Sequence, residues 1–500
     1  MGFALPTLRQ HSTMVTMDSS MRMSVPPKED YHNEGTVRGK IASLTYDTVE
    51  RSLSIQGDSW HETILDRNVI AVIDGREDGK PGPKNQQILL LSKLPDSHYK
   101  FEGVQVTSLP QSFIDANVVS PRFAQMVSYR SISKGGGGSV SSLYVVISIG
   151  SGTGEAQEFF DNVVKPAFTA SGIHPFSYYV HTTDSNKSIA RFISAVILPR
   201  ANEGVSQTVL LLSGDGGVID TVNVLLSSTR SRQYVKPVIG LVTMGTGNAL
   251  ANSTGLNSDL TRGLRHFYRG RARPLPTLTA IFSPDSEILL DEGRTAEPVA
   301  PPTADAGEMY GAVVCSWALH ASLVADSDTA EYRKFGSQRF QMAAKELLSP
   351  SDGSAPHVYK GQIILFKLDE NGHEIRQALN AQEHGYILAT LVSNLEEKLA
   401  ISPHSKPLDG QLRLVHFGAI PSEEVMKILG LAFQGGAHVD DEAVGYENIE
   451  GIRIDFDEPD GRWRRVCVDG KIVRVGQSGW VEVRKNTSVD VLDIVADLEP

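Results

Sequence analysis

The chain has 500 residues, 40% of them hydrophobic and 21% charged, with a net charge of −12 and two cysteines, Cys315 and Cys467. That length supplies two or three cores. The acidic balance excludes a global basic field for nucleic acid, and so few cysteines exclude a disulfide framework and point to a reducing compartment. The longest apolar runs, such as "LYVVISI" and "TVLLL", are strand-length, well short of the roughly 20 residues of a spanning helix.

Residues 1–35 are Ser-, Met- and Pro-rich, lack the apolar core of a secretory signal, and read as a disordered tail. Short β-like stretches follow: "KIASLTYD", "RSLSIQG", "NVIAVIDG" and "QQILLLSKL". They predict a small β-rich module over residues 36–130, with no visible chemistry. "SISKGGGGSVSS", residues 131–142, is a Gly/Ser linker by composition.

Strand and helix patterns then alternate from residue 143 to 272. "LYVVISIG", "FSYYVHTT", "TVLLLSG" and "KPVIGLVTMG" read as strands; "GEAQEFFDNVVKPAF", "NKSIARFISAVI", "GVIDTVNVLLSS" and "GNALANSTG" read as helices. This spacing predicts an α/β domain, a parallel sheet covered by helices. From residue 273 to 490 the pattern turns mostly to strands, including "HVYKGQIILFKL", "GQLRLVHFG" and "WRRVCVDGKIVRVG", with one helix-like block, "DTAEYRKFGSQRFQMAAKELL". A mainly antiparallel β-sandwich is expected there. The Pro/Ala/acidic stretch 291–308 reads as a disordered loop.

Three Gly-rich stretches follow predicted parallel strands and lead into helices: "GSGTG" (150–154), "SGDGG" (213–217) and "MGTGN" (244–248). Ligands of open α/β sheets bind beyond the carboxyl ends of the strands. Helix N-termini there offer free N–H groups to phosphate, and glycine admits close approach. One such stretch is an ordinary turn; three on one rim imply a nucleotide site. It is neither a Walker A loop nor a dinucleotide fingerprint, because no Gly-Lys-Ser/Thr follows and the later glycine spacing is missing. Asp215 is the one carboxylate inside these loops. Two readings stay open for it: an Asx-type turn that caps the following helix, or a group that binds metal or accepts a proton during phosphoryl transfer.

"LLLSGDGGVIDTVNVLL" with "PVIGLVTMGTGNALANSTGL", "SIGSGTGEAQEFF" and "GAVVCSWALHASLVADSDTAEYRKFGSQRF" resembles the diacylglycerol/sphingosine kinase superfamily. The Asn-Ala-Leu-Ala form of "GTGNALA" resembles its sphingosine (sphingoid long-chain base) kinase branch. The likeness runs over about residues 140–485; the first 130 lie outside it. It implies an α/β nucleotide-binding domain and a β-sandwich lipid-binding domain with ATP between them, and an ATP- and Mg2+-dependent lipid kinase.

Carried over, Asp215 is the catalytic base. Gly150, Ser151, Gly152, Thr153, Gly154, Thr183, Gly214, Gly216, Gly217, Gly245, Thr246, Gly247 and Asn248 surround the nucleotide, with Arg333, Arg339 and Asp469 toward its phosphates. Ser316 meets the lipid head-group hydroxyl. The head-group acid is Asp326 in an ungapped alignment and Asp328 if "ADSD" is set directly on the family's Ala-Asp-x-Asp; Asp326 is preferred. No metal ligand is assigned.

Three of the family's motifs are altered here. Ser148-Ile149 stand for Asn-Pro, Asp220 stands for Glu in the helix after the catalytic loop, and Lys471 stands for Glu in the C-terminal Asp-Gly-Glu. The last leaves "VCVDGKIV" equally readable as a plain Asp-Gly hairpin. A buried alkyl chain of about 15 methylenes contributes about 12 kcal/mol to the binding of any long-chain lipid, at roughly 0.8 kcal/mol each. Selection therefore falls to the head group, where an acid suits the ammonium of a sphingoid base. The expectation is a sphingoid-base kinase in the cytoplasm with peripheral membrane contact. The alternatives are a kinase for diacylglycerol or another lipid, and, given Lys471, a weakly active lipid- or nucleotide-binding regulator.

Overall fold

The computed structural model describes residues 32–75, 85–95, 98–132, 142–300, 305–336, 338–487 and 490–498. Most of the expected N-terminal tail and of the Gly/Ser linker lies outside them. Among the described residues, the N-terminal part is a seven-stranded antiparallel sheet between His32 and Thr107, closed by helices Gln111–Asn117 and Pro121–Ile132. Its first strand, His32–Val37, begins inside the segment expected as tail, because it pairs in full register with Lys40–Asp47. Alternation along Lys40–Asp47 and Ser52–Gln56 turns Leu44, Tyr46, Leu53 and Ile55 into a core of its own.

A second face of this module is not independent. Ile70, Leu89, Leu91, Phe123 and Met126 share one apolar cluster with Val145, Phe159, Phe168, Phe267 and Tyr268 of the α/β part. Polar contacts reinforce the seam. Arg265 Nε donates to the Val69 carbonyl at 3.0 Å, Arg269 Nη1 to Asn117 Oδ1 at 2.9 Å, and Ser120 N to the Tyr268 carbonyl at 3.0 Å.

The α/β part is a six-stranded sheet. Strands Tyr178–Thr182, Ser142–Ile147, Gln207–Ser213, Val238–Thr243 and Asp493–Ala496 run parallel in that spatial order, and Arg271–Pro274 closes the edge antiparallel to the last. Gln207–Ser213 is buried along its whole length, as an apolar run flanked on both sides predicts. Two covering helices carry π-turns, Phe160–Val164 and Ile193–Ile197, each just before a proline, Pro166 and Pro199. Proline has no N–H to give the preceding turn, and the widened turn makes room for its ring. The strand from the far end of the chain, Asp493–Ala496, was not anticipated.

The largest sheet has 14 strands, antiparallel throughout the described pairings, and a separate two-stranded ribbon joins Asn394–Glu396 to Leu399–Ala400. It is one continuous, curled sheet rather than two separate layers. Strand Tyr359–Leu368 turns the corner: Tyr359 and Lys360 pair with Glu383–Thr390, and Gly361 to Phe366 pair with Gly451–Phe456. The curl encloses Trp317, Phe282, Leu365, Leu412 and Val481. Inside the stretch expected as a disordered loop, Thr295–Pro298 pairs with Glu287–Leu290; residues 301–304 lie outside the described set. Among the described residues no helix is long and apolar enough to cross a membrane.

Candidate active site

The three Gly-rich stretches meet at the carboxyl ends of the parallel strands. Backbone packs on backbone there, which accounts for part of the glycine. A Cβ on Gly152 would overlap the Met244 carbonyl oxygen; one on Gly214 would lie 2.9 Å from Gly245 Cα; one on Gly217 would strike Ser213. Gly152 and Gly154 also adopt φ of 55° and 81°, where other residues are strained. Gly150 and Gly216 are different. They are exposed, their φ is unremarkable, and a Cβ on either would meet nothing. No intramolecular contact requires glycine at these two positions.

Side chains brace the loops from behind. Ser151 Oγ reaches Ser148 Oγ at 2.8 Å and Ser213 Oγ at 3.3 Å. Thr183, buried, accepts the Ile149 N–H on Oγ1 at 3.2 Å. Asn248 adopts φ 52° and spans its own loop, accepting from Gly245 N at 3.1 Å and donating to the Gly245 carbonyl at 2.8 Å. Thr153 and Thr246 are exposed on the rim.

Asp215 opens the helix Asp215–Ser227, with Gly214 as its extended N-cap. The backbone N–H groups of Ala249 and Leu250, at the start of the next helix, favour its ionised form, while Oδ1 is buried without a hydrogen-bond partner. Burial pushes Asp215 up to about 6, the two N–H donors offsetting part of the rise. An ionisable group with an unpartnered oxygen and a raised pKa has the character of a general base.

The same helix ties the α/β part to the curled sheet. Asn223 exchanges two hydrogen bonds with the Tyr310 backbone, Nδ2 to O at 2.7 Å and Oδ1 from N at 3.0 Å. Asp220 Oδ1 accepts from Lys471 Nζ at 2.7 Å. The two departures from the family pattern thus neutralise each other, which sequence reading did not foresee because they lie 251 positions apart. Asp469 and Gly470 form a two-residue turn with φ 48° and 87°, so the Asp-Gly hairpin is real. The Asp469 carboxylate accepts from Ala312, Val313 and Val314 N–H groups at 2.6–3.3 Å. Burial pushes it up to about 7 against those donors, with the Asp215 charge adding to the rise. Asp469 therefore sits within electrostatic reach of Asp215, but its oxygens are committed to the 312–314 backbone.

The residues assigned to the lipid head group do not converge on one free acid. Ser316 is buried and bonded to His320 Nδ1 at 2.7 Å, and burial holds that imidazole down at about 4. Asp326 is paired with Arg465 at 2.7 Å and Arg462 at 3.2 Å. Asp328 takes Arg333 in a two-pronged bond, both at 2.9 Å, and Arg339 at 3.2 Å. Burial alone would raise Asp328, but the two arginines bring it below the ordinary carboxylate range. Arg339 also acts on Glu396, beside the third glycine loop. Its charge lowers Glu396, which burial raises, and the neighbouring Leu395 carbonyl lies closest to where a Gly247 side chain would be.

A cavity of 230 Å³ opens between Leu319, Leu347, Leu348, Tyr359, Ile420 and Val425, with His357 and His384 on its wall; Ser316, Asp326 and Asp328 do not line it. Helix Ser422–Ala432, which supplies Val425, was missed in the sequence although its apolar spacing is helical.

Residues 142–280 match the diacylglycerol kinase catalytic domain. The chain is 22% identical to "Sphingosine kinase 1" of Arabidopsis thaliana over 393 residues, 71% of this chain and 73% of that protein. It is 38% identical to "Sphingosine kinase B" of Dictyostelium discoideum over 81 residues, 15% of this chain and 10% of that protein. A putative diacylglycerol kinase from Bacillus anthracis str. Sterne superposes with a TM-score of 0.48 at 11% identity, covering 71% of this chain and 97% of that one. With its catalytic-domain match over residues 142–280, its sphingosine kinase relatives and Asp215 at the junction of three glycine loops, the chain resembles the diacylglycerol/sphingosine kinase superfamily.

Proposed function

We propose that the chain transfers the γ-phosphoryl group of Mg-ATP to the primary hydroxyl of a sphingoid long-chain base. The observation that carries this reading is Asp215: a carboxylate with one buried, unpartnered oxygen, raised to about 6, beside glycines that stand open without structural cause. In the step, Asp215 takes the hydroxyl proton as the lipid oxygen bonds to phosphorus and the bond to ADP breaks. The open backbone at Gly150 and Gly216 and the N-terminus of the 13-residue Asp215 helix suit the phosphates. Arg333 and Arg339 are held ready by Asp328.

The donor set fits a metal carried mainly by the triphosphate. Mg2+ keeps several waters and asks little of the protein, and no carboxylate here is assigned to it, since Asp220 is committed to Lys471 and Asp469 to the 312–314 backbone. Bound to the triphosphate, the metal would neutralise charge on the phosphates.

The apolar cavity suits an alkyl chain, and similarity to the Arabidopsis sphingosine kinases favours a sphingoid base. One observation favours a second reading, diacylglycerol or another neutral lipid: both candidate head-group acids are already neutralised by arginines. ATP turnover by the purified protein against a panel of sphingoid bases, ceramides and diacylglycerols separates the two. A preference for sphingoid bases supports the first reading; a preference for neutral lipids selects the second; and no lipid-dependent turnover overturns both.

A further inference from the structure

The N-terminal module lies outside the matched catalytic domain, yet one side chain carries it to the edge of the glycine loops. Arg262 adopts φ 53°, and its carbonyl accepts the Thr243 N–H at 2.9 Å, at the end of the parallel strand that leads into the third loop. From there its guanidinium reaches three separate segments. Nε donates to the Tyr99 hydroxyl of the N-terminal module at 2.8 Å. Nη2 meets Glu155 Oε2 at 3.2 Å, on the residue that follows "GSGTG". Nη1 lies 3.5 Å from the sulfur of Met244, the residue that precedes "GTGN". The group also stacks 4.9 Å from the Tyr99 ring centre, and Tyr99 packs edge-on against Phe159, 5.2 Å between centroids, in the helix after the first loop. His98 pairs with Glu158 alongside.

Adhesion alone would not need this arrangement, since the seam already has an apolar core. A planar fork with donors at fixed angles sets the relative position of the groups it holds. Here those groups are the module and the flanks of two glycine loops, which touch each other where Gly152 meets the Met244 carbonyl. We infer that Arg262 is a positioning residue through which the N-terminal module, by way of Tyr99, holds the first and third glycine loops in register for nucleotide. The module is thereby part of the nucleotide site's framework. The inference rests on the reading of these loops as the nucleotide site.

The test uses the full chain, with Arg262→Met, Arg262→Lys and Tyr99→Phe. Tyr99→Phe keeps the ring and removes only the acceptor, so it guards against a variant that fails to fold. Three measurements are made: mant-ATP affinity, amide exchange of residues 148–156 and 242–250 without nucleotide, and the thermal midpoint. Losing a charge-assisted hydrogen bond corresponds to roughly a ten-fold or larger change in an equilibrium constant. Arg262→Met should weaken mant-ATP by about ten-fold and Tyr99→Phe by a few-fold, with faster exchange in both loops. Arg262→Lys should not restore either, because a single ammonium cannot hold three segments. With turnover, KM for ATP should rise while kcat at saturating ATP stays near wild type. A lowered midpoint with unchanged affinity and unchanged loop exchange would mean that Arg262 is adhesive only, and would overturn the inference. If wild type itself does not bind mant-ATP, the nucleotide reading fails. Loop exchange in Tyr99→Phe still decides the coupling: faster in both loops upholds it, and unchanged in both overturns it.

Discussion

Asp215→Asn should remove phosphoryl transfer and at the same time make the protein more pH-tolerant. The native carboxylate is raised from 3.8 to about 6, chiefly by burial. A carboxylate raised on folding contributes stability that is fully present below its unfolded value and lost as pH rises through its folded one. Relative to low pH, ionised Asp215 therefore costs about 3 kcal/mol at pH 8, at roughly 1.4 kcal/mol per unit. At pH 5, where the native group is still mostly protonated, the same linkage gives about 1.6 kcal/mol. Asparagine does not titrate, so it escapes this cost. Its amide leaves an N–H in the buried place of Oδ1, which takes back about 1–2 kcal/mol at every pH. The dependable quantity is hence the difference between the two pH values, about 1.4 kcal/mol in favour of the variant at pH 8. For a domain of this size that corresponds to roughly 3–6 °C in thermal midpoint. The assay is a pair of thermal scans, wild type and variant, at pH 5 and pH 8. An equal midpoint difference at both would refute the claim that Asp215 is held in a desolvated site.

Turnover should fall about ten-fold per pH unit below about pH 6, because the base must be ionised; a kcat/KM profile that stays flat to pH 5 would exclude Asp215 as that base. Gly152→Ala should lower stability and nucleotide affinity together, since its Cβ has no room beside Met244, whereas Gly216→Ala should leave folding stability within about 1 kcal/mol of wild type and still weaken nucleotide binding. Equal effects of the two on mant-ATP affinity and midpoint would contradict the division of glycines into packing and open positions. Lys471→Gln, Asp220→Asn and the double variant should show a coupling of about 1 kcal/mol in thermal stability, the pair being only partly buried; a coupling below about 0.3 kcal/mol means the pair does not hold the helix. Asp326→Asn should cost about 2–3 kcal/mol by stranding Arg465, whose Nε and Nη2 already lack partners. A variant that keeps its midpoint but loses preference for amine lipids would instead make Asp326 a head-group acid.

Local signals carried the parallel sheet. Apolar runs such as "TVLLLSG" and the glycines after them lie within a few positions of one another, and strand, turn and helix follow from propensity and spacing. What sequence could not supply was pairing across distance. Asp493–Ala496 looks like any short apolar segment until Val238 and Ile239 are seen beside it. The curl of the large sheet depends on Tyr359–Leu368 having two sets of neighbours, a property of the assembled sheet and of no window of residues. The charged groups of "ADSDTAEYRKFGSQRF" were legible as charges, but their partners were not. Asp326 looks outward to Arg462 and Arg465, more than a hundred positions on, while Asp328 turns back to Arg333 and Arg339 of its own segment.

The same distinction explains Lys471. Taken by itself, a lysine where the family has glutamate threatens the site, and the reading as a weakly active regulator followed from it. With Asp220 at 2.7 Å the exchange becomes a paired one. The helix that begins at Asp215 is fastened to the hairpin by an ion pair and to strand Gly307–Gly311 by Asn223. Its first residue is thereby fixed relative to the curled sheet as well as to the glycine loops. On the proposed function, a base that meets a hydroxyl brought by one part and a phosphate held by the other would need both constraints. An ion pair at this joint holds it closed without relying on a metal, and leaves Asp215 as the carboxylate with an oxygen to spare.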